Sequence, residues 1–252
     1  MNKNEKEWFE SEWFWDTFGP IMFDKGIMAK TDDEVEGVIK LTGLPQGSRI
    51  LDVCCGFGRH SLEFARWGYD VTGMDITSSY IERARKSAKE ENLNCNFILG
   101  DVRSDKAKGL FSGALCMWNS FGYSEDPEDD EKIIKNVFNS LEPGGFFLLD
   151  TPGKEVIASG FEANTWFERD DLKILLEYSI DLNWTVLKNR WLFLEKDGTL
   201  NEFSFAQRIF SALEMAQMLY NAGFESIDIY GNWQGEAYDN EAERLIVIAW
   251  KG

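Results

Sequence analysis

From residue 49 onward, short apolar runs alternate with segments whose apolar positions recur every three or four residues. The runs 49–54, 70–74, 95–99, 110–118 and 145–150 read as strands, and 59–67, 78–91 and 127–141 read as helices. Strands alternating with helices imply a parallel sheet. Asp126 as N-cap with Pro127 at the first helical position marks one helix start, and Pro143-Gly144-Gly145 marks the turn after that helix. Two helices come earlier. An aromatic one spans Glu5 to Phe18, and Thr31-x-x-Glu34 reads as a capping box opening a second that ends near Gly43, before a turn over Pro45 to Ser48. Past residue 164 the period falls to two, as in Lys173 to Leu182 and Asn189 to Lys196, with Asp197-Gly198 as a hairpin turn. That is an antiparallel insertion. Ser211-x-x-Glu214 caps a last helix, and Glu225 to Tyr230 with Arg244 to Trp250 supply two final strands around the loop from Gly231 to Glu243.

The stretch Ile50-Leu51-Asp52-Val53-Cys54-Cys55-Gly56-Phe57-Gly58 runs from a strand through a glycine turn into a helix. Gly56 and Gly58 can adopt φ > 0 and bring backbone amides close to a ligand. The next strand ends in Asp75, nineteen residues after Gly56, where a carboxylate can accept both hydroxyls of a ribose. A nucleotide-like ligand is expected. A dinucleotide fingerprint needs a third glycine where Ser61 stands, or a first one where Cys54 stands, so both registers are one glycine short. Asp52, just before the loop, repels a diphosphate and suits a cationic amine and sulfonium.

This segment resembles motif I of the class I S-adenosylmethionine-dependent methyltransferases, usually Asp-x-Gly-x-Gly-x-Gly, with Cys54 as the departure. The resemblance continues through Lys30-Thr31 with Glu34-Val35, Gly68-Tyr69 to Asp75, Gly100-Asp101-Val102-Arg103, Ser120-Phe121-Gly122-Tyr123, Leu141 to Gly145 and Leu149-Asp150. Arg208, Ala222-Gly223-Phe224, Tyr230-Gly231 and Arg244-Leu245-Ile246 complete it, in the order of a bacterial small-molecule branch, over roughly residues 25 to 250. It implies a doubly wound α/β fold whose seven-stranded, mostly parallel sheet has the order 3-2-1-4-5-7-6, strand seven antiparallel.

By the same resemblance the backbone from Cys54 to Gly58 cradles the methionine part of S-adenosyl-L-methionine, Asp75 takes the ribose hydroxyls and Ile76 packs on adenine. Asp101 and the Val102 amide read the adenine edge, and the Trp118 backbone closes the sulfonium side. Lys30 either pairs with the methionine carboxylate or is a solvated lysine. His60 reads as a packed histidine behind the loop. Asn119 and Tyr123 lie at the carboxyl end of the fourth parallel strand, where ligands of open α/β sheets bind, so they are candidates to position the acceptor. Tyr123 could also take its proton, although a tyrosine with a pKa near 10 is a poor base.

Composition narrows this picture. The 252 residues fit one α/β domain with an elaboration, and a net charge of −18 disfavours nucleic acid and anionic membranes; it reads first as a device for solubility and, in the alternative, as an electrostatic preference for a cationic or amine substrate. Cys54, Cys55, Cys95 and Cys116 have no metal-ligand spacing, and a single histidine leaves no His-based site, so no metal is expected. No apolar run approaches the ~20 residues of a membrane span, and a cytoplasmic location is expected. Of ten tryptophans, Trp8, Trp13, Trp15, Trp166, Trp184, Trp191 and Trp233 fall outside the parallel core, and two or three are expected to line a dry pocket around the sulfonium.

The expected organisation is an N-terminal helical lid over residues 1–45, a cofactor-binding core over 46–153, an antiparallel substrate insertion over 154–210 and the rest of the core sheet over 211–252. The expected activity is transfer of a methyl group to a nitrogen or oxygen of a small molecule, EC 2.1.1, with S-adenosyl-L-homocysteine as product. An NAD-dependent oxidoreductase and a non-catalytic S-adenosylmethionine-binding module are the alternatives.

Overall fold

The computed structural model describes residues 7–169, 171–181 and 183–252; Glu5 of the expected aromatic helix and Leu182 of the expected strand lie outside them. A 3₁₀ turn at Trp8–Glu10 leads into α1 (Glu12–Met22), capped by the Ser11 hydroxyl, which accepts from Phe14 N at 3.3 Å. The aromatic segment is thus broken at Ser11 and runs on past Phe18. A short α2 (Lys25–Met28) precedes α3 (Thr31–Thr42), which ends at Gly43 with φ 63°.

The capping box expected at Thr31 does not form. Lys30 is the N-cap, the Thr31 hydroxyl donates to Met28 O at 2.8 Å, and Glu34 turns into the interior, where three buried donors outbid one backbone amide.

The alternation then follows in the expected order: β1 (Arg49–Val53), α4 (Arg59–Arg66), β2 (Asp70–Asp75), α5 (Ser78–Glu90), β3 (Cys95–Leu99), β4 (Phe111–Cys116), α6 (Glu128–Ser140) and β5 (Leu141–Thr151). Two details differ: Pro127, not Asp126, is the N-cap of α6, with the Asp126 carboxylate accepting from Glu128 N at 3.0 Å, and Pro143-Gly144-Gly145 form no separate turn but an irregular stretch of β5, where the register against β4 shifts. After α7 (Lys154–Ser159), which has no signature in the apolar pattern, come β6 (Asn164–Arg169), β7 (Leu172–Ile180), β8 (Val186–Leu194) and β9 (Leu200–Arg208). The chain closes with α8 (Ala212–Ala222), β10 (Ser226–Tyr230) and β11 (Leu245–Trp250).

Seven strands form the main sheet in the order β10-β11-β5-β4-β1-β2-β3, parallel except for β11, which runs antiparallel to both β5 and β10. In core-strand numbering this is the expected 3-2-1-4-5-7-6. Neighbouring side chains on a strand face opposite ways, so Ile50 and Leu148 pack with Val35, Val38 and Phe64 of α3 and α4, while Leu51 and Leu149 pack with Ile134, Met215 and Leu219 of α6 and α8. Both faces of the sheet are therefore covered.

The second sheet, β6-β7-β8-β9, is antiparallel throughout, with the β8–β9 hairpin closed at Asp197-Gly198. Its apolar face receives α1. Phe14 and Phe18 are fully buried there, 4.5 Å from the Phe203 ring and 4.2 Å from the Phe193 ring respectively, and each such burial contributes about 1.5–3 kcal/mol. The N-terminal helix is thereby fastened to the insertion, is tied to the parallel core where the Tyr80 hydroxyl donates to Trp15 O at 3.3 Å, and hangs over the carboxyl ends of the core strands.

Candidate active site

The loop after β1 is pinned by the end of β2. Gly56, at φ 56°, donates its amide to Asp75 Oδ2 at 2.8 Å, and Thr77 N donates to Asp75 Oδ1 at 2.8 Å. One carboxylate thus shapes the glycine turn and the entry to α5 together. Burial pushes the Asp75 carboxyl above its ordinary range, and the Thr77 and Gly56 amides oppose that shift. Gly58, at φ 83°, serves packing: a Cβ there would lie 2.8 Å from the Phe97 ring. Cys54 stands where motif I has glycine and adopts φ 57°, the left-handed conformation that glycine takes without strain.

These residues wall a cavity of about 110 Å³ at the carboxyl ends of β1, β2 and β4. Cys54, Gly56, Asp75, Ile76, Asp101, Val102 and Tyr123, all expected from sequence, line it, and Phe9, Trp15 and Phe23 from the N-terminal segment roof it. Asp101 is held by Arg103, whose Nη2 lies 2.7 Å from its Oδ2. Arg103 also reaches Glu7 (3.7 Å), Glu10 (3.4 Å) and Asp129 (3.2 Å) and lies 5.2 Å from the Phe9 ring, so it ties the roof to the floor.

Other expected residues lie elsewhere. Lys30 is exposed at the start of α3, outside the cavity wall. Asp52 is 2 % exposed beneath the loop, accepts from the Ser61 hydroxyl at 2.5 Å and is likewise absent from the wall. Burial raises its pKa against the charge of His60 and the Ser61 hydrogen bond. His60 lies behind the loop, with Nε2 2.9 Å from Glu34 Oε2.

Trp118 and Asn119 line a second cavity, of about 450 Å³. Both have left-handed φ, 61° and 64°, a conformation that costs non-glycine residues about 1–3 kcal/mol each and must be imposed by surroundings. Asp150 imposes it: its Oδ2 accepts from Trp118 N at 2.9 Å and its backbone O from Asn119 N at 2.9 Å, while Arg244 pairs with Oδ1. The Asn119 carboxamide is held at both ends, accepting from Thr151 Oγ1 and Gln207 Nε2 at 2.7 Å and donating one N–H to Gln207 Oε1 at 3.1 Å. The Trp118 indole donates to Glu34 Oε1 at 3.1 Å, and the Arg59 guanidinium lies 5.1 Å from its ring. Glu34 also accepts from Arg59 Nη1 at 2.5 Å, which makes it the buried hub behind the cavity.

The second sheet supplies the far side of this cavity through Tyr178, Asn189, Trp191, Phe205 and Gln207, with Trp8 and Phe14 from the N-terminal segment. Among the described residues, none of the second sheet lines the smaller cavity. Trp8, Trp15, Trp118 and Trp191 face the two cavities, whereas Trp166 is 65 % exposed. Tyr123 is common to both walls, and burial pushes its phenol far above 10. Sequence reasoning assigned no role to Asp150, Arg103 and Arg244, although each stands in a matched motif, and read Glu34 as a helix cap. Gln207 carried no signal at all.

A family profile described as a methyltransferase domain matches residues 50–145, the stretch that builds the small cavity. This match, with the fold and the relatives below, supports a class I S-adenosylmethionine-dependent methyltransferase with S-adenosyl-L-methionine as cofactor. Among curated relatives, the putative methyltransferase YqeM of Bacillus subtilis (strain 168) is 26 % identical over 82 % of this chain and 86 % of that protein. The glycine/sarcosine N-methyltransferase of Aphanothece halophytica is 24 % identical over 88 % of this chain and 83 % of that protein. The crystal structure of an S-adenosylmethionine-dependent methyltransferase from Clostridium acetobutylicum ATCC 824 superposes with a TM-score of 0.78 at 16 % identity, covering 95 % of this chain and 98 % of that one.

The residues present fit that cofactor. A ribose-competent carboxylate ends β2, positive-φ backbone stands at Cys54 and Gly56, and aromatic rings close the roof, where their faces attract a sulfonium. Among the described residues no helix is long and apolar enough to cross a membrane.

Proposed function

We propose that this protein methylates an amine nitrogen of a small molecule, and the observation that carries the reading is the position of Tyr123. It lines the small cavity, built from the methyltransferase motifs, and the larger aromatic one, so a donor in the first and an acceptor in the second meet at its side chain. Asp75, Ile76, Asp101 and Val102 would hold the nucleoside, and Cys54 to Gly58 the methionine portion. Bound there, the cofactor supplies an electrophilic methyl on a sulfonium.

The acceptor nitrogen forms a bond to the methyl carbon with its lone pair. The carbon–sulfur bond breaks with its electrons going to sulfur, and the new ammonium releases its proton to solvent. In-line transfer of this kind rewards alignment and exclusion of water. The aromatic walls exclude water. The Tyr123 hydroxyl, kept protonated by burial, can orient the nitrogen through a hydrogen bond but is no base at neutral pH. Nitrogen is favoured over oxygen because an amine needs no side chain to deprotonate it beyond the fraction already free in solution, and neither cavity wall holds a histidine. A relative matched over most of its length is named for N-methylation of glycine and sarcosine, which agrees.

The test has two parts. S-adenosylhomocysteine should raise the melting temperature where NAD does not, and S-adenosylhomocysteine should form from S-adenosylmethionine when amines are supplied. Turnover that climbs with pH as the acceptor amine loses its proton supports nitrogen. Cofactor binding with no turnover on any amine or hydroxyl panel would mean a sensing module.

A further inference from the structure

The aromatic cavity opens into a groove of about 1530 Å³, far larger than a single-site amine such as glycine needs, and the two share Trp8, Tyr123, Tyr178, Asn189, Phe205 and Gln207. Resting on the amine reading above, we infer that the acceptor is an extended polycationic amine without phosphate: one nitrogen enters the aromatic cavity while at least one further ammonium lies in the groove.

Unused hydrogen-bonding capacity on the cavity wall includes both an acceptor and donors, which suits an amine, since an amine can donate and accept. Asn189 is 6 % exposed, and its carboxamide nitrogen donates to Leu187 O at 3.3 Å, which leaves its oxygen, on the wall of both cavity and groove, without a donor among the described residues. The hydroxyls of Tyr123 and Tyr178, on the same two walls, likewise have no hydrogen bond within the described residues. The carboxamide oxygen, which only accepts, has as its complement an N–H or O–H on the ligand, and the buried indole N–H groups of Trp8 and Trp191 on the same cavity wall, without partners among the described residues, complement an acceptor such as a hydroxyl or a free amine lone pair. The surrounding rings of Trp118, Trp191 and Phe205 favour a cation over an alcohol.

Charge in the groove excludes the other class of large amine substrate, an amino sugar carried on a nucleoside diphosphate. Of the groove's basic side chains, Arg190 is committed to Glu177 and Glu202, each at 2.7 Å, and Arg208 to Asp130 at 2.6 Å. Lys188 is left as the cation without an ion-pair partner among the described residues. Against it stand Glu12 and Glu125 in the groove and Glu162 on the aromatic cavity, none of them in an ion pair among the described residues. A diphosphate would meet a net negative wall with one lysine to hold it, whereas a second and third ammonium meet uncommitted carboxylates. The chain's net charge of −18 steers the same way.

The experiment uses the full chain. S-adenosylhomocysteine formation would be followed with ethanolamine, spermidine, an aminoglycoside and a uridine-diphosphate amino sugar at low and high salt, together with calorimetric titration of spermidine and of the aminoglycoside in the presence of S-adenosylhomocysteine. The expected result is a kcat/KM for spermidine or the aminoglycoside about tenfold or more above that for ethanolamine, falling as salt rises. The better of the two identifies a linear or a cyclic polyamine skeleton. The Glu12→Gln, Glu125→Gln double variant should raise KM for that substrate about tenfold with kcat retained, and should flatten the salt dependence. Preference for the nucleotide-linked amine, indifference to the second ammonium, or neither binding nor turnover of both polyamines would overturn the inference. Failure of S-adenosylhomocysteine to stabilise the protein is a separate readout, and it would overturn the methyltransferase reading underneath.

Discussion

Replacing Glu34 by glutamine removes the one charge that three buried donors share: Arg59 at 2.5 Å, His60 at 2.9 Å and the Trp118 indole at 3.1 Å. Arg59 is 6 % exposed, its Nη2 has no partner even in the native protein, and its other side-chain hydrogen bond goes to the neutral Thr31 hydroxyl at 3.0 Å, so among the described residues no second carboxylate pairs with it. Breaking a buried ion pair by deleting one partner costs about 3–5 kcal/mol, and a glutamine oxygen that keeps one acceptor interaction puts the estimate near the low end, about 3 kcal/mol. For a chain of this size that is a fall in melting temperature of about 6 to 12 °C.

The pH dependence follows from the direction of the Glu34 shift. Burial raises its pKa, but the hydrogen bond and charge of His60, with those of Arg59, outweigh burial and leave the folded value below the ordinary 4.5. A carboxylate with a depressed folded pKa contributes stability that is complete above its unfolded pKa and is lost as pH falls through the folded one. The difference between native and Glu34→Gln proteins should therefore close as pH drops below about 4.5. Calorimetric melts from pH 3 to 8 measure it. Because Glu34 also aims Trp118 into the larger cavity, acceptor KM should rise more than S-adenosylhomocysteine Kd. A melting shift below about 2 °C, or one that persists unchanged to pH 3, would refute the reasoning.

Asp75→Ala should weaken S-adenosylhomocysteine binding at least tenfold by calorimetry, since two charge-assisted hydrogen bonds to a ribose are worth about 1.5–3 kcal/mol each; unchanged affinity would remove Asp75 from the ribose site. Gly58→Ala should destabilise by about 2 kcal/mol or more in a urea melt, because the added Cβ meets both a φ of 83° and the Phe97 ring at 2.8 Å. Cys54→Gly should leave stability within about 1 kcal/mol and S-adenosylhomocysteine affinity unchanged, while Cys54→Val, a β-branched residue at φ 57°, should lose both. Arg103→Ala should free the roof from Asp101 and Asp129, seen as faster proteolysis of the N-terminal segment and as a smaller fluorescence change of Trp15 when S-adenosylhomocysteine binds.

Local features of the chain made the core sheet legible. Apolar runs bounded by glycine turns gave each parallel strand to within a few residues, and β11 closed the sheet antiparallel in the expected order. The strand ending at Cys116 was read two residues too long because an apolar pattern cannot announce that Trp118 and Asn119 take left-handed backbone. That conformation is set by Asp150, more than thirty residues away in the chain. Glu34 failed for a related reason: its spacing from Thr31 satisfies a local capping rule, and only the fold brings Arg59, His60 and Trp118 within reach to override it.

The same division runs through the site. Glycine and acid at fixed spacing within one β-loop-α unit are local features, so Cys54, Gly56, Asp75, Ile76, Asp101 and Val102 were legible and line the small cavity, whereas Lys30, Asp52, Gly58 and Trp118 lie off its wall. The larger cavity is assembled from the N-terminal segment, the loop after β4, α7 with the turn that follows it, and all four strands of a separate sheet, with Gln207 reaching back to Asn119 across the interface between them. No spacing encodes such an assembly, because each contributing strand shows only the period-two alternation that any half-buried strand shows. With the acceptor in the larger cavity and the donor in the smaller, as proposed above, acceptor selection would rest on contacts distant in sequence and donor binding on contacts that are near. Exchange of the second sheet between relatives should accordingly move acceptor preference while leaving the affinity for S-adenosylhomocysteine in place, since none of the sheet's described residues touches the smaller cavity.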